Sequence, residues 1–390
     1  MDEKLQRISD TVDASREQML ALWETLVNTD SPTTEKAGAD AVARRLAREL
    51  EGLGARVRFL ENERRGDVLY AEWGAENPGK PVIFTGHMDT VFPPDETKRR
   101  PFTVENGLAF GPGVLDMKGG LVAAVYALRA LHTLGYQSRP VRVIFAGDEE
   151  SGHRQSGTKD ILLRLAKGAA AAFNFETGFE DGGIVTNRKG CARFTLAVTG
   201  VEAHSGNAAH LGRSAIREMA HKILALEALS RPEEGLTVSV GTISGGTVVN
   251  AIPGFCKVEV DVRYLTTEQM ESTLHEAKII SDTCHTDGCL CEMQVQENSI
   301  PMPQSEGNLR LFEAVARAAE KLGQQKLHPM GVGGWSDSNL IASLGIPVVC
   351  SMGVQGKGNH TQREYAVVES LFFRAKLAAA AVLELDIPCD

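Results

Sequence analysis

The chain has 390 residues, of which 43% are hydrophobic and 24% charged, and its 41 basic and 51 acidic side chains leave a formal net charge of -10. This is enough chain for two or three domain-sized units with a substantial core. The acidic balance argues against nucleic acid or an anionic membrane as partner, since both need basic patches.

No run of about 18 apolar residues exists, so no membrane span is expected. The start, Met1-Asp2-Glu3-Lys4, lacks a basic-then-apolar leader, and the protein is read as cytoplasmic. Seven cysteines form no tidy framework, which fits reduced thiols. Cys284, His285, Cys289 and Cys291 fit no zinc spacing and read as buried structural thiols.

Two amphipathic helices are predicted to open the chain, over residues 14–27 and 35–53. The second carries Val42, Leu46, Leu50 and Leu53 at helical spacing and stops at Gly54. Short apolar strands follow at residues 67–72, 81–85, 141–146, 171–175 and 346–352. Helical patterns alternate with them at 119–134 and 159–167. That alternation predicts an α/β sheet covered on both faces. The middle reads differently: strand 193–198, helix 214–229, strands 237–243 and 256–263, helix 267–280, strand 290–296. The order β-α-β-β-α-β is a ferredoxin-like α+β unit. It is bounded at 187–296, splitting a catalytic domain into 1–186 and 297–390.

The chemistry lies at strand ends. His87 and Asp89 follow the strand that starts at Pro81. Asp89 is placed to take the free imidazole N–H of a metal-binding His87, although a loop histidine reads the same locally. Asp116 lies in the glycine-rich turn Gly111-Pro-Gly-Val-Leu-Asp-Met-Lys-Gly-Gly120, where it reads either as a carboxylate bridging two cations or as a helix cap. Asp148-Glu149-Glu150 puts three carboxylates together after a strand, which reads either as an exposed acidic turn or as an arrangement that a cation relieves. Glu150 reads as a metal ligand and Glu149 as the base for a water beside the metal. Glu176 and His360 supply the remaining donors, each weak alone. Together these types in this order point to a two-zinc hydrolytic site. Cobalt and manganese suit a similar ligand set. Ser151 and His153 hint at a serine nucleophile, but no G-x-S-x-G elbow surrounds any serine, and neither a P-loop nor a strand-associated G-x-G-x-x-G is present.

Taken in order, these clusters resemble the M20 family of di-zinc peptidases over nearly the whole chain. The resemblance implies a zinc-peptidase-like α/β sheet with the inserted unit as lid and dimerisation domain, hence a homodimer. It implies Asp116 as the bridging carboxylate, Glu150 and His360 completing one zinc, and His87 and Glu176 completing the other. Glu149 becomes the general base and Asp89 the orienter of His87, with a cis bond between Asp116 and Met117. Gly200-Val-Glu-Ala-His-Ser-Gly206 implies that His204 reaches a partner subunit's site and steadies the oxyanion. Asn250 lines that region, and Arg263 grips a substrate carboxylate; locally they read as a surface histidine, a turn asparagine and a strand-end arginine. Trp335 departs from the pattern, standing where many relatives have glycine, and leaves the substrate open. The expected activity is a carboxypeptidase acting on a small peptide or similar amide with a free carboxylate. The alternative is an N-acyl amino acid deacylase or deacetylase, and Glu176 in place of Asp favours by analogy the carboxypeptidase, desuccinylase and aminoacylase branches. A non-catalytic metal sensor on the same fold needs a broken site, and every ligand type is intact.

Overall fold

A computed structural model describes residues 2–324 and 326–385. They form two compact units. The first combines the chain up to Asn187, Gln304–Gly331 and the stretch from Ser336 onward; the second combines Arg188–Pro303 with Val332–Trp335.

The first unit opens with three helices: α1 (Glu3–Asp13), α2 (Arg16–Val27) and α3 (Lys36–Gly52). Two were expected. Helix α1 is capped by the Asp2 carboxylate and buries Leu5, Ile8 and Val12 at helical spacing. Next come β1 (Arg56–Leu60), β2 (Gly66–Trp73), β3 (Val82–His87), α4 (Gly119–Leu134), β4 (Val141–Gly147), α5 (Thr158–Ala166) and β5 (Ala171–Asn174).

The second unit runs β6 (Gly190–Thr199), α6 (Ala215–Glu227), β7 (Thr237–Gly245), β8 (Phe255–Tyr264), α7 (Thr267–Asp282) and β9 (Leu290–Ser299). Its sheet is antiparallel throughout, in the order β7-β8-β6-β9, which is the ferredoxin-like arrangement. Strand β8 buries alternate residues Cys256, Val258, Val260, Val262 and Tyr264. They share a core with Phe194 and Leu196 of β6 and with Met219 and Leu226 of α6. That period of two is the mark of a sheet with one face packed. Cys289 is buried there, but Cys284 is exposed and Cys291 half-buried, so the cysteine cluster is only partly internal.

The chain returns to the first unit with α8 (Glu306–Lys321), α9 (Asp337–Ala342), β10 (Val348–Val349) and α10 (Val368–Leu383). The expected strand 346–352 shrinks to the two residues of β10. The main sheet has the order β1-β2-β4-β3-β5-β10. Strands β4, β3, β5 and β10 are parallel, while β1 and β2 add an antiparallel edge. Every residue of β3 is buried, as a central parallel strand requires. Helix α4 is buried around most of its circumference and joins α1, α3, α8 and α10 in one apolar cluster with the strands. Gly120 permits the close approach, since a Cβ there would stand 1.9 Å from the carbonyl oxygen of Phe175. Because β4, β3 and β5 run side by side in one direction, the loops leaving their carboxyl ends open at the same edge.

Candidate metal centre

His87 ends β3, Glu149 follows β4 by two residues, and Glu176 follows β5 by two. Sheet order therefore makes neighbours of residues up to 89 positions apart in the chain. A second device brings in the last expected ligand. Strands Gly356–Lys357 and Tyr365–Val367 pair with each other, and the latter pairs with Leu108–Phe110. The loop between them, carrying Asn359 and His360, is thereby laid beside the turn that holds Asp116. All five expected ligands belong to the first unit.

His87 is buried, and its Nδ1 lies 3.0 Å from the carbonyl oxygen of Asp89. A carbonyl only accepts, so Nδ1 carries a proton, and Nε2, which faces the site, is the nitrogen left for a metal. Nε2 stands 3.2 Å from Asp116 Oδ1 and 3.8 Å from Glu176 Oε1. On the other side, His360 Nε2 stands 3.2 Å from both Asp116 Oδ2 and Glu150 Oε2. Asp116 thus offers one oxygen to each imidazole, which is the geometry of a bridging carboxylate. The bond between Asp116 and Met117 is cis.

Asp89 does more than orient His87. Its carboxylate is 3.4 Å from the ring, farther than its own carbonyl. Asp89 Oδ1 instead accepts from the Glu149 backbone N–H at 3.0 Å, and Oδ2 from the Glu150 N–H at 3.1 Å and the Thr33 hydroxyl at 2.6 Å. One buried carboxylate therefore fixes the turn that presents both glutamates. Sequence reasoning also missed Glu364. Its two oxygens accept from the backbone N–H groups of Gly113, Leu115 and Asp116 at 2.9–3.0 Å. Asn359 donates to Asp116 Oδ2 at 3.2 Å. The only sequence signal for Glu364 is its position four residues after His360.

The electrostatics are those of a cation site. Burial pushes Glu149 well above the usual carboxylate range, despite His87, with Glu176 and Glu150 adding to the rise. Burial raises Glu150 too, against the pull of His360. Burial opposes ionisation of Asp116, but His360 and His87 hold it far below the usual value. Hydrogen bonds to Asp116 and Glu150 lift His360 to about 11. Burial works against charging His87, yet Asp116 and Asp89 outweigh it and raise it well above the ordinary imidazole. A surrounding that draws protons this strongly draws a divalent ion into the same place.

The residues fit such a pair of ions. Donor atoms of His87, Asp116 and Glu150 all lie within 4.8 Å of one another, as do those of His87, Glu149 and Glu176. Glu150 Oε1 is buried with no protein partner among the described residues, an oxygen that a metal satisfies. Imidazole and carboxylate are the donors that zinc and its neighbours take. Distance alone does not separate Glu149 from Glu150; the contact of Glu150 with His360 does.

Residues 83–384 match the model of peptidase family M20/M25/M40. The chain belongs to this family. It is a metal-dependent hydrolase by that membership. It is 27% identical over 367 residues to carboxypeptidase G2 of Pseudomonas sp. (strain RS-16), covering 93% of this chain and 88% of that protein. It is 29% identical over 365 residues to succinyl-diaminopimelate desuccinylase of Acidiphilium cryptum (strain JF-5), covering 89% and 92%. The crystal structure of aminopeptidase PepT from Bacillus cereus ATCC 10987 superimposes with a TM-score of 0.83 at 26% identity, covering 95% of this chain and 98% of that one. The α/β fold class agrees with that structure.

The three remaining expected residues lie in the second unit. His204 is exposed on a two-residue strand, and its Nδ1 accepts from the Gly206 and Asn207 N–H groups at 3.1 Å each. Its ring proton therefore sits on Nε2, outward and free to donate. Asn250 is exposed, and its carbonyl accepts from the backbone and hydroxyl of Ser205 at 2.9 Å. Arg263 is half-buried and paired with Asp261 at 2.8 and 3.2 Å. No helix among the described residues is long and apolar enough to cross a membrane.

Proposed function

We propose that the protein is a di-zinc carboxypeptidase that cleaves the amide next to an amino acid with a free carboxylate. The observation that carries the reading is Asp116, with one oxygen toward His87 and the other toward His360. In this reading Glu150 and His360 complete one metal site, and His87 and Glu176 the other. Zinc supplies Lewis acidity for the carbonyl and the water, and cobalt or manganese suits the same donors.

Glu149 takes the proton from the attacking water on its carboxylate and later returns it to the leaving amine. Asp89 keeps Glu149 and Glu150 in register through their backbone N–H groups. His204, from the partner of a homodimer formed through the inserted unit, donates Nε2–H to the developing oxyanion. Arg263 pairs with the substrate carboxylate by its planar fork, held by Asp261, and Asn250 lines the same region. The substrate is a small peptide or acyl amino acid, and the setting is cytoplasmic. Neither nucleic acid nor membrane is a partner, in keeping with the net charge of -10.

The second reading, an N-acyl amino acid deacylase, is supported by the 29% identity to the desuccinylase. Zinc-loaded protein assayed on N-acetyl and N-succinyl amino acids, C-terminal glutamyl amides, dipeptides and tripeptides, with and without chelator, separates the two. Chelator-sensitive release of a C-terminal amino acid from peptides or glutamyl amides supports the carboxypeptidase. Cleavage of the acyl compounds alone supports the deacylase, and no hydrolysis by a fully loaded protein sinks both.

A further inference from the structure

His153 has no part in the reaction just described, yet it occupies a buried ionic position near it. Its Nδ1 is 2.9 Å from Asp148 Oδ1 and its Nε2 is 2.6 Å from Asp337 Oδ1, with all three side chains buried. An imidazole with a carboxylate on each nitrogen donates from both and carries the positive charge. Burial opposes that charge, but Asp337 and Asp148 raise His153 to about 10.

What the ring joins is more telling than its charge. Asp148 begins the turn that presents Glu149 and Glu150, so the bond to Asp148 braces that turn from within. Asp337 is the first residue of α9, from a segment 184 positions away. Beside it, Ser338 Oγ accepts from Asn174 Nδ2 at 2.9 Å. Asn174 is the last residue of β5, two positions before Glu176. Ser336 and Asn339 form a reciprocal cap that fixes the start of α9. Five residues thus link the turn of Glu149 and Glu150 to the strand end that carries Glu176.

We propose that His153 is a positioning residue: by tying Asp148 to Asp337 it sets the spacing between the Glu149–Glu150 turn and Glu176. The inference rests on Glu149 as base and on Glu150 and Glu176 as ligands. Removing a partner hydrogen-bonded to a ligand costs about 10–100-fold in metal affinity or activity, and His153 acts on the same turn through Asp148. A purely structural ion pair costs stability alone.

The experiment compares His153→Gln, His153→Ala, Asp337→Ala and Asp337→Asn with the unaltered protein. Zinc affinity is read by competition with a chromophoric chelator, kcat and KM on the best panel substrate, and the melting temperature by circular dichroism. The expected result is zinc affinity and kcat lowered about 10–100-fold for both His153 variants and Asp337→Ala, with KM little changed, at temperatures where each variant is folded. Asp337→Asn keeps a hydrogen bond to the ring and recovers most of the loss. A folded variant with a lower melting temperature but zinc affinity and kcat within about twofold of the unaltered protein overturns the proposal. Should both His153 variants fail to fold, the Asp337 pair decides by the same criteria. If the unaltered protein hydrolyses nothing in the panel, the functional reading fails by itself, and zinc affinity alone decides on His153.

Discussion

At the scale of single residues the proposed reading separates groups that bind from groups that move a proton. Glu149→Gln keeps the size and loses the base. The protein is expected to retain both metals by elemental analysis while kcat falls about 10²–10⁴-fold; near-normal turnover would remove Glu149 from the role. Glu364 is a different kind of residue, a buried carboxylate that accepts three backbone N–H groups around Asp116. Burial pushes it up to about 7. Glu364→Gln sets an amide against one of those donors, with an expected cost of about 1–3 kcal/mol and a weaker hold on zinc. An unchanged melting temperature and zinc affinity would show that the cradle is dispensable. His153 gives a pH signature in the chelated protein. Its proton affinity is raised from 6.5 to about 10 in the folded state. Its contribution is therefore full below about pH 6.5 and fades as the pH rises through 10. Denaturant titrations at pH 7 and pH 10 are expected to show a larger drop for the unaltered protein than for His153→Gln, and equal drops would refute the linkage. The ligands were legible because each follows an apolar strand or a glycine turn. Glu364, Asn359 and the partner of His153 were not: they come from as far away in the chain as His360 does, but they act behind the metal donors and carry no ligand signal of their own.

At the scale of elements, close approach matters more than propensity. Helix α4 begins against the end of β5, and Gly120 is the point of contact. Gly120→Ala places a methyl group against the Phe175 carbonyl, and the helix or the strand end must yield. The expected cost is about 1–3 kcal/mol, read as a lower melting temperature, together with weaker zinc binding because Glu176 follows Phe175. An unaffected melting temperature would mean that the helix shifts freely. The same contrast explains which elements the sequence disclosed. Helix α4 is a long, mostly apolar run between Gly119 and Gly135, and strand β8 alternates cleanly; the limits of both, and of β7, fall within a few residues of expectation. Helix α10 is buried almost all round, as α4 is, but its alanine-rich run has no glycine at either end to mark its limits. Strand β1 is a mostly exposed edge, and its alternation of Arg56 and Arg58 with Val57 and Phe59 is too short to stand out. Helix α1 shows three apolar residues among polar ones, a stripe too thin to stand out over eleven residues.

At the scale of the whole molecule, the proposed metals and the proposed dimer each make the assembly more than the fold of one chain. Metal that binds only the folded chain stabilises it by about 4 kcal/mol at a thousandfold excess over Kd, so chelation is expected to lower the melting temperature and zinc to restore it. The proposed dimer would find a natural surface in the second unit. Strand β7 is an open edge, and Ile243, Val248 and Val249 on and after it are exposed. Ile243→Asp is expected to halve the mass seen by light scattering while leaving zinc content unchanged. If His204 works in the partner's site, that variant also loses turnover, because each site then lacks its oxyanion donor. Mixing gives the sharper test. Glu149→Gln and His204→Ala are each inactive alone, but a mixed dimer pairs an intact base on one chain with an intact histidine on the other. With free exchange half the dimers are mixed and each has one complete site, so roughly a quarter of normal activity returns. Were His204 to serve its own chain, every site in the mixture would still lack one group, and nothing would return.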